Sequence, residues 1–365
     1  MKGKVAIFSA PCTELEIREY PLPEVGPGDM LVKIRRANIC GSDLHMWRGH
    51  GPRLAPGLAR VLGHEMMGEV YRLGRQGQRD CLGQPLGEGD RIVYSYFVPC
   101  GACPACLHGS PACPNRYRYW LGQSVDDSPH FRGAYGEYYY LHAGQTVCKV
   151  PPELSDALVS AVNCALCEAL YGLDQVGVQL GDTVVIQGAG GLGLYATALA
   201  KEMGAGRVIV LGRRPERLVL ARAFGADLTL GGNETTEEER RQCVLDCTRG
   251  QGADVVAEFV GSPQAVTEGI RLLRPGGRYL WVGNVTPGLF NAGLDPGTVV
   301  RMAQTITGVI AYAPWVLPRA LDFLARRRQA YPFEQILSHT LPFPEINTAF
   351  ACAGAGQALR VSLTL

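Results

Sequence analysis

Residues 183–193 read Thr-Val-Val-Ile-Gln-Gly-Ala-Gly-Gly-Leu-Gly. The first five are apolar or β-branched apart from Gln187 and predict a buried strand. The next six carry the pattern Gly188-x-Gly190-x-x-Gly193, and an apolar stretch over 192–203 predicts a helix that starts inside the turn. In a strand–turn–helix setting each glycine has a task. Gly188 allows the tight turn, Gly190 lets the backbone approach a pyrophosphate, and Gly193 lets the helix pack on the strand. Gly191 and Leu192 complete the opening of the helix, whose free N–H groups and positive dipole end suit phosphate. The stretch therefore predicts a dinucleotide site on a parallel α/β sheet.

The chain downstream supports that sheet. Strands are expected at 207–211, 254–259, 278–282 and 305–309, with a helix at 215–224 that has Pro215 in its first turn. Such alternation implies βαβ units. The second strand ends Val210-Leu211-Gly212 and is followed by Arg213-Arg214. An NAD site would carry an acidic residue here, about 20 residues past the turn, to hold the adenosine ribose hydroxyls. Gly212 followed by two guanidinium groups suits a ribose 2′-phosphate instead. NADP is expected and NAD stays open; surface arginines on a solvated turn are the other reading.

Upstream the texture differs. Short apolar runs at 30–34, 68–73, 91–94 and 135–141 are separated by Gly- and Pro-rich turns, which predicts a β-rich domain. After residue 311 come a helix and extended pieces that return to this domain. The expected division is a β-rich domain over 1–160 and 304–365, enclosing an α/β domain over 161–303.

Four cysteines, Cys100, Cys103, Cys106 and Cys113, follow the spacing C-x2-C-x2-C-x6-C. Thiolates this close in one loop can wrap a tetrahedral metal ion, zinc being the usual one. Cys113-Pro114 resembles the end of an iron–sulfur run, but the last gap is too long for that pattern. A second, scattered set of metal-ligand types consists of Cys40, the pair His64-Glu65, and Cys164. Cys167 competes with Cys164 for the last place.

Composition sets outer limits. The chain has 365 residues, 47% hydrophobic and 19% charged, enough for two domains with sizeable cores. Its 35 basic and 34 acidic residues leave a net charge of +1, which gives no general attraction to nucleic acid or an anionic membrane. No apolar run is expected to reach membrane-spanning length. The basic then apolar start lacks the long apolar stretch of a signal peptide. With 13 cysteines, six in the two candidate metal sets and seven scattered, this implies the reducing cytoplasm, with metal-bound and free thiols.

Taken together, Cys40-Gly41-Ser42-Asp43-Leu44-His45, Gly63-His64-Glu65-Met66-Met67-Gly68, the four-cysteine lobe, Cys164 and the glycine turn resemble the zinc-containing medium-chain alcohol dehydrogenases over almost the whole chain. The resemblance implies a GroES-like β-rich catalytic domain, a Rossmann domain, and an active site in the cleft between them. It implies Cys40, His64 and Cys164 as catalytic zinc ligands, with a fourth position left open as catalytic zinc requires. Glu65 would approach or replace a ligand, and Asp43 would orient His64. The four-cysteine lobe would hold a closed structural zinc, although its last gap is one residue shorter than in most relatives. Ser42 matches the hydroxyl beside the substrate oxygen, and His45 the histidine at the outer end of a proton relay.

The expected chemistry is zinc acting as a Lewis acid on the oxygen of a secondary alcohol or its ketone, with hydride exchanged with the nicotinamide. Trp47, Tyr96, Phe97, Tyr117, Tyr119 and Trp120 are candidate walls of an apolar pocket for a bulky or cyclic substrate. An NAD-dependent polyol or amino-alcohol dehydrogenase is the alternative enzyme. A non-catalytic NAD(P)-binding redox sensor is the alternative of another class. The resemblance also implies a homo-oligomer, dimer or tetramer.

Overall fold

The computed structural model describes residues 1–50, 58–283, 288 and 293–365. The chain divides into two units: Met1–Cys167 with Ala313–Arg328 and Phe333–Leu365, and Glu168–Tyr312 with Gln329–Pro332.

In the second unit, Thr183–Gln187 lies inside a six-stranded sheet. The spatial order is Leu228–Gly231, Arg207–Gly212, Thr183–Gln187, Ala253–Glu258, Leu273–Trp281, Thr305–Gly308. Every neighbouring pair is parallel. Numbered along the chain this is 3-2-1-4-5-6, the doubly wound Rossmann order, in which ligands bind at the strands' C-terminal ends where the order reverses. Val184, Val185, Ile186, Val208, Ile209 and Val210 are all fully buried. A strand buried on both faces must be covered on both, as helical crossovers do. The helices Gly191–Glu202, Pro215–Ala223, Glu237–Cys247 and Pro263–Leu272 supply those crossovers.

The first unit is β-rich. Its larger sheet runs His339–Pro342, Val361–Thr364, Met30–Ile39, Glu65–Leu73, Arg91–Tyr94, Val147–Lys149, with Tyr138–Leu141 also pairing onto Met30–Ile39. The C-terminal tail thus returns to the N-terminal strands. Val361 stands opposite Ile39 in antiparallel register, which sets Arg360 and Cys40 at adjoining strand ends. A smaller sheet joins Glu16–Pro21, Lys2–Phe8 and Arg60–Val61.

Both expected domain boundaries move. Thr305–Gly308 pairs with Leu273–Trp281, so the α/β unit extends past residue 303 to Tyr312. The segment after residue 160 stays with the β-rich unit as far as Cys167. The cause is Asn163, whose side chain is bonded into that unit's strands, as described below. One further expectation is corrected. The stretch Asp156–Val176 is long and apolar enough to cross a membrane by length and composition alone, but most of it is buried inside the protein.

Candidate metal and cofactor sites

Cys40 ends a strand and caps the short helix Gly41–Trp47. His64 and Glu65 stand where the strand Glu65–Leu73 begins. Cys164 lies in a wide turn, Val162–Leu166, in which the Leu166 N–H reaches back five residues to the Ala161 carbonyl at 3.4 Å. Such π-type turns recur at functional sites because they re-aim one side chain. The turn brings Cys164 into a group with Cys40, His64 and Glu65, each offering one donor atom within 4.8 Å of the others. Cys167 is buried but outside the group.

Asp43 organises this group. Its Oδ1 accepts from Gly63 N–H and faces His64 Nδ1, both at 3.2 Å. Its Oδ2 accepts from Cys40 N–H at 2.9 Å and from the Tyr135 hydroxyl at 2.8 Å. With Nδ1 so engaged, His64 Nε2 is the nitrogen left for a metal. The Ser42 hydroxyl is 3.5 Å from that Nε2. Burial pushes the His64 pKa down, but the Asp43 carboxylate and the Cys40 sulfur outweigh it and hold it well above the usual range. The Cys40 thiol is held well below its usual range by its hydrogen bond with Cys164, against burial and with help from His64.

Sequence reasoning missed the supports of this group. Arg360 is buried and bonds Glu65 Oε2, while Oε1 is buried with no hydrogen-bond partner among the described residues. Burial raises the Glu65 pKa to about 7, against the opposing pull of Arg360. A charge beside an alternating terminal strand gives no sequence signal for such a role. Asn163 does give one, as a lone polar residue inside the apolar run 161–166. Its Nδ2 donates to the His64 carbonyl at 2.9 Å and the Tyr94 carbonyl at 3.0 Å, and its Oδ1 accepts from Met66 N–H at 3.3 Å. Asn163→Ala would remove three hydrogen bonds to buried backbone groups. It is expected to destabilise the first unit by roughly 2–4 kcal/mol, read as a lower midpoint in urea; an unchanged midpoint would show that those bonds are dispensable.

The donor set fits zinc. Two sulfurs and one imidazole nitrogen are a tetrahedral catalytic set with one position left, and the unpartnered Glu65 oxygen is the acceptor a nearby cation would satisfy. The second group, Cys100, Cys103, Cys106 and Cys113, also lies within 4.8 Å. Cys103 and Cys106 sulfurs are 3.5 Å apart, and Cys100 and Cys106 3.9 Å. Backbone N–H groups of Ala102 and Cys103 hold the Cys100 thiol down to about 6. All four are free thiols, which fits a closed four-sulfur zinc site.

The glycine turn has the geometry its spacing predicts. Gly188 has φ +107°, and a Cβ there would meet Val260. Gly190 caps the helix with open space where a side chain would stand. A Cβ on Gly193 would lie 1.8 Å from the Gly188 carbonyl oxygen. Gly193→Ala is therefore expected to destabilise the second unit by on the order of 3 kcal/mol and to abolish dinucleotide binding, measured by denaturant unfolding and cofactor titration. Gly191 and Leu192 form the first helical turn. A Cβ on Gly212, where its strand ends, would meet Leu218 and Ala189 of the glycine turn. Arg213 is exposed and Arg214 half-buried, with a 3.8 Å ion-pair contact to Glu216. Arg217, unnoticed in the sequence, joins them; burial, together with the charge of Arg214, lowers its pKa.

His45 is half-buried and its Nδ1 has no hydrogen-bond partner among the described residues. Burial, with Arg48 and His50 nearby, pushes its pKa down. Of the aromatic candidates, Tyr96 and Trp120 pack on the His64 ring, at 4.7 and 5.2 Å between centroids. Phe97 and Tyr117 contact Tyr96. Trp47 instead donates to the Thr13 carbonyl and packs on Phe350, and Tyr119 stacks on His142.

Comparison with known proteins agrees with this geometry. Residues 26–152 match the alcohol dehydrogenase GroES-like domain, and residues 191–326 match the zinc-binding dehydrogenase family. The chain is 34% identical to a crystal structure of an alcohol dehydrogenase from Thermotoga maritima, with a TM-score of 0.93 and coverage of 100% of this chain and 99% of that one. It is 29% identical to the 5-exo-hydroxycamphor dehydrogenase of Pseudomonas putida over 95% of this chain and 94% of the relative. It is 31% identical to the L-threonine 3-dehydrogenase of Symbiobacterium thermophilum over 95% of this chain and 93% of the relative. The chain belongs to the zinc-dependent medium-chain alcohol dehydrogenase family.

Proposed function

We propose that this enzyme moves hydride between a secondary alcohol, bulky or cyclic, and NADP. The observation that carries the substrate reading is the pair of rings, Tyr96 and Trp120, packed on the imidazole of His64. An apolar wall next to the reacting oxygen favours an alcohol flanked by hydrocarbon, because each buried CH₂ contributes about 0.8 kcal/mol. The hydroxycamphor named for one relative is such an alcohol.

Cys40, His64 and Cys164 would hold the catalytic zinc, and Cys100, Cys103, Cys106 and Cys113 the structural one. When bound, the catalytic zinc supplies Lewis acidity that makes a hydroxyl easier to deprotonate. NADP supplies the hydride acceptor. The chain's own residues do the rest. Asp43 fixes the His64 tautomer and ring plane. Arg360 anchors one oxygen of Glu65, whose carboxylate lies within 4.8 Å of the other ligand atoms. Ser42 Oγ holds the substrate hydroxyl's proton, and His45, kept neutral by burial, takes it toward water. Gly188, Gly190, Gly191, Leu192 and Gly193 admit the pyrophosphate. Gly212, Arg213 and Arg214 admit and pair the 2′-phosphate.

The competing reading is an NAD-dependent polyol or amino-alcohol dehydrogenase, favoured by the threonine dehydrogenase among the relatives. Initial rates with NADP and NAD across cyclic, linear, polyol and amino alcohols separate the two. A cyclic or branched secondary alcohol with NADP is expected to give a kcat/KM at least ~10-fold above any polyol or threonine, the difference that two buried CH₂ groups make. A polyol or threonine turned over best with NAD would replace this reading with the second.

A further inference from the structure

Two cysteines outside both metal groups are brought together by the fold. Cys81 lies at the tip of the segment 74–88, and Cys148 lies in the strand Val147–Lys149. The Cys81 N–H donates to the Val147 carbonyl at 2.8 Å. Its neighbour Asp80 fastens the same junction. Asp80 Oδ1 accepts from Leu82 and Gln84 N–H, each at 2.9 Å, and Oδ2 accepts from Lys149 N–H at 3.3 Å. A bridge between Arg79 and Pro85 closes the neck of the segment. One carboxylate thus shapes the tip and ties it to the strand, which sets Cys81 beside Cys148.

The two sulfurs have different surroundings. Cys81 is exposed, whereas Cys148 is 1% exposed. Their shared hydrogen bond holds the Cys81 thiol below its usual range, although burial and the Asp80 charge oppose it. The same bond, with burial, pushes Cys148 up. An accessible thiol held below its usual range beside a buried one pushed up is the arrangement of an attacking and a resolving thiol.

We propose that Cys81 and Cys148 form a reversible redox couple that closes to a disulfide on exposure to hydrogen peroxide. The Cys81 thiolate attacks one peroxide oxygen, the O–O bond breaks, and Cys81 sulfenic acid and hydroxide result. The Cys148 sulfur then attacks the Cys81 sulfur; the S–O bond breaks, and the Cys148 proton leaves with the hydroxyl as water. Two thiols lose two electrons and the peroxide is reduced to two waters after the hydroxide is protonated. A dithiol reverses the step by exchange. The disulfide clips the segment 74–88 to a strand that pairs, through Val93 opposite Cys148, with Arg91–Tyr94.

The test uses the zinc-loaded enzyme, so that metal-held thiols are shielded. After brief treatment with hydrogen peroxide, free thiols are alkylated and unreduced peptides are mapped by mass spectrometry. A cross-linked peptide joining Cys81 to Cys148 is expected, lost again with dithiothreitol. Cys81 should be consumed at least ~10-fold faster than the exposed Cys12, which lacks such a partner role. In Cys81→Ser, Cys148 should remain alkylatable and basal turnover unchanged. Recovery of Cys81 as sulfinic acid with Cys148 still free, or of both as unmodified thiols, would overturn the proposal.

Discussion

Replacing His64 by alanine is expected to lower kcat/KM by at least ~10³-fold, about 4 kcal/mol of transition-state stabilisation. The fold should survive. Asp43 keeps three of its four partners, Cys40 N–H, Gly63 N–H and the Tyr135 hydroxyl. The loss of the buried ring against Tyr96 and Trp120 leaves a cavity that costs roughly 2–4 kcal/mol. Zinc content should fall by the catalytic equivalent only, because the four cysteines of the lobe are untouched. The measurements are initial rate, elemental analysis and circular dichroism on one preparation. Full turnover in the variant would remove this group from the mechanism.

The second large effect concerns the cofactor. Arg213→Ala combined with Arg214→Ala should reduce kcat/KM for NADP by about 100-fold or more. Each charge-assisted hydrogen bond contributes about 1.5–3 kcal/mol, and 1.4 kcal/mol is tenfold. The value for NAD should change by less than about threefold, since no 2′-phosphate is lost. The neighbouring Arg217, near enough to feel the charge of Arg214, remains in the variant and sets the floor of the effect. Equal losses with both cofactors would mean that the arginines support the fold and not the phosphate.

The Rossmann sheet was legible in the sequence where strands were β-branched and turns were glycine-rich. Thr183–Gln187 and Arg207–Gly212 are of that kind. Leu228–Gly231 was not legible: Leu-Thr-Leu-Gly is too short to show a period, and its place beside Arg207–Gly212 is set by pairing alone. The end of this sheet at Thr305–Gly308 was read as a strand, but its membership is tertiary and the boundary was placed too early. In the first unit, the residue types that could bind metal were visible because cysteine and histidine are rare and their spacing is unusual. Their buried supports were not. Arg360 meets Glu65 across 295 positions of sequence, and only the antiparallel register of Val361 with Ile39 brings them together. Trp47 and Tyr119 show the converse, since an aromatic residue near a motif fits a pocket wall and a packing role equally well in sequence.

Oxidation of an alcohol with NADP through a metal held by Cys40, His64 and Cys164 is the proposed reaction. It is tested most directly by following NADP reduction before zinc removal, after removal by a strong chelator, and after zinc is returned. Turnover should disappear with the metal and return with it. Undiminished turnover by protein shown to be metal-free would contradict this reaction.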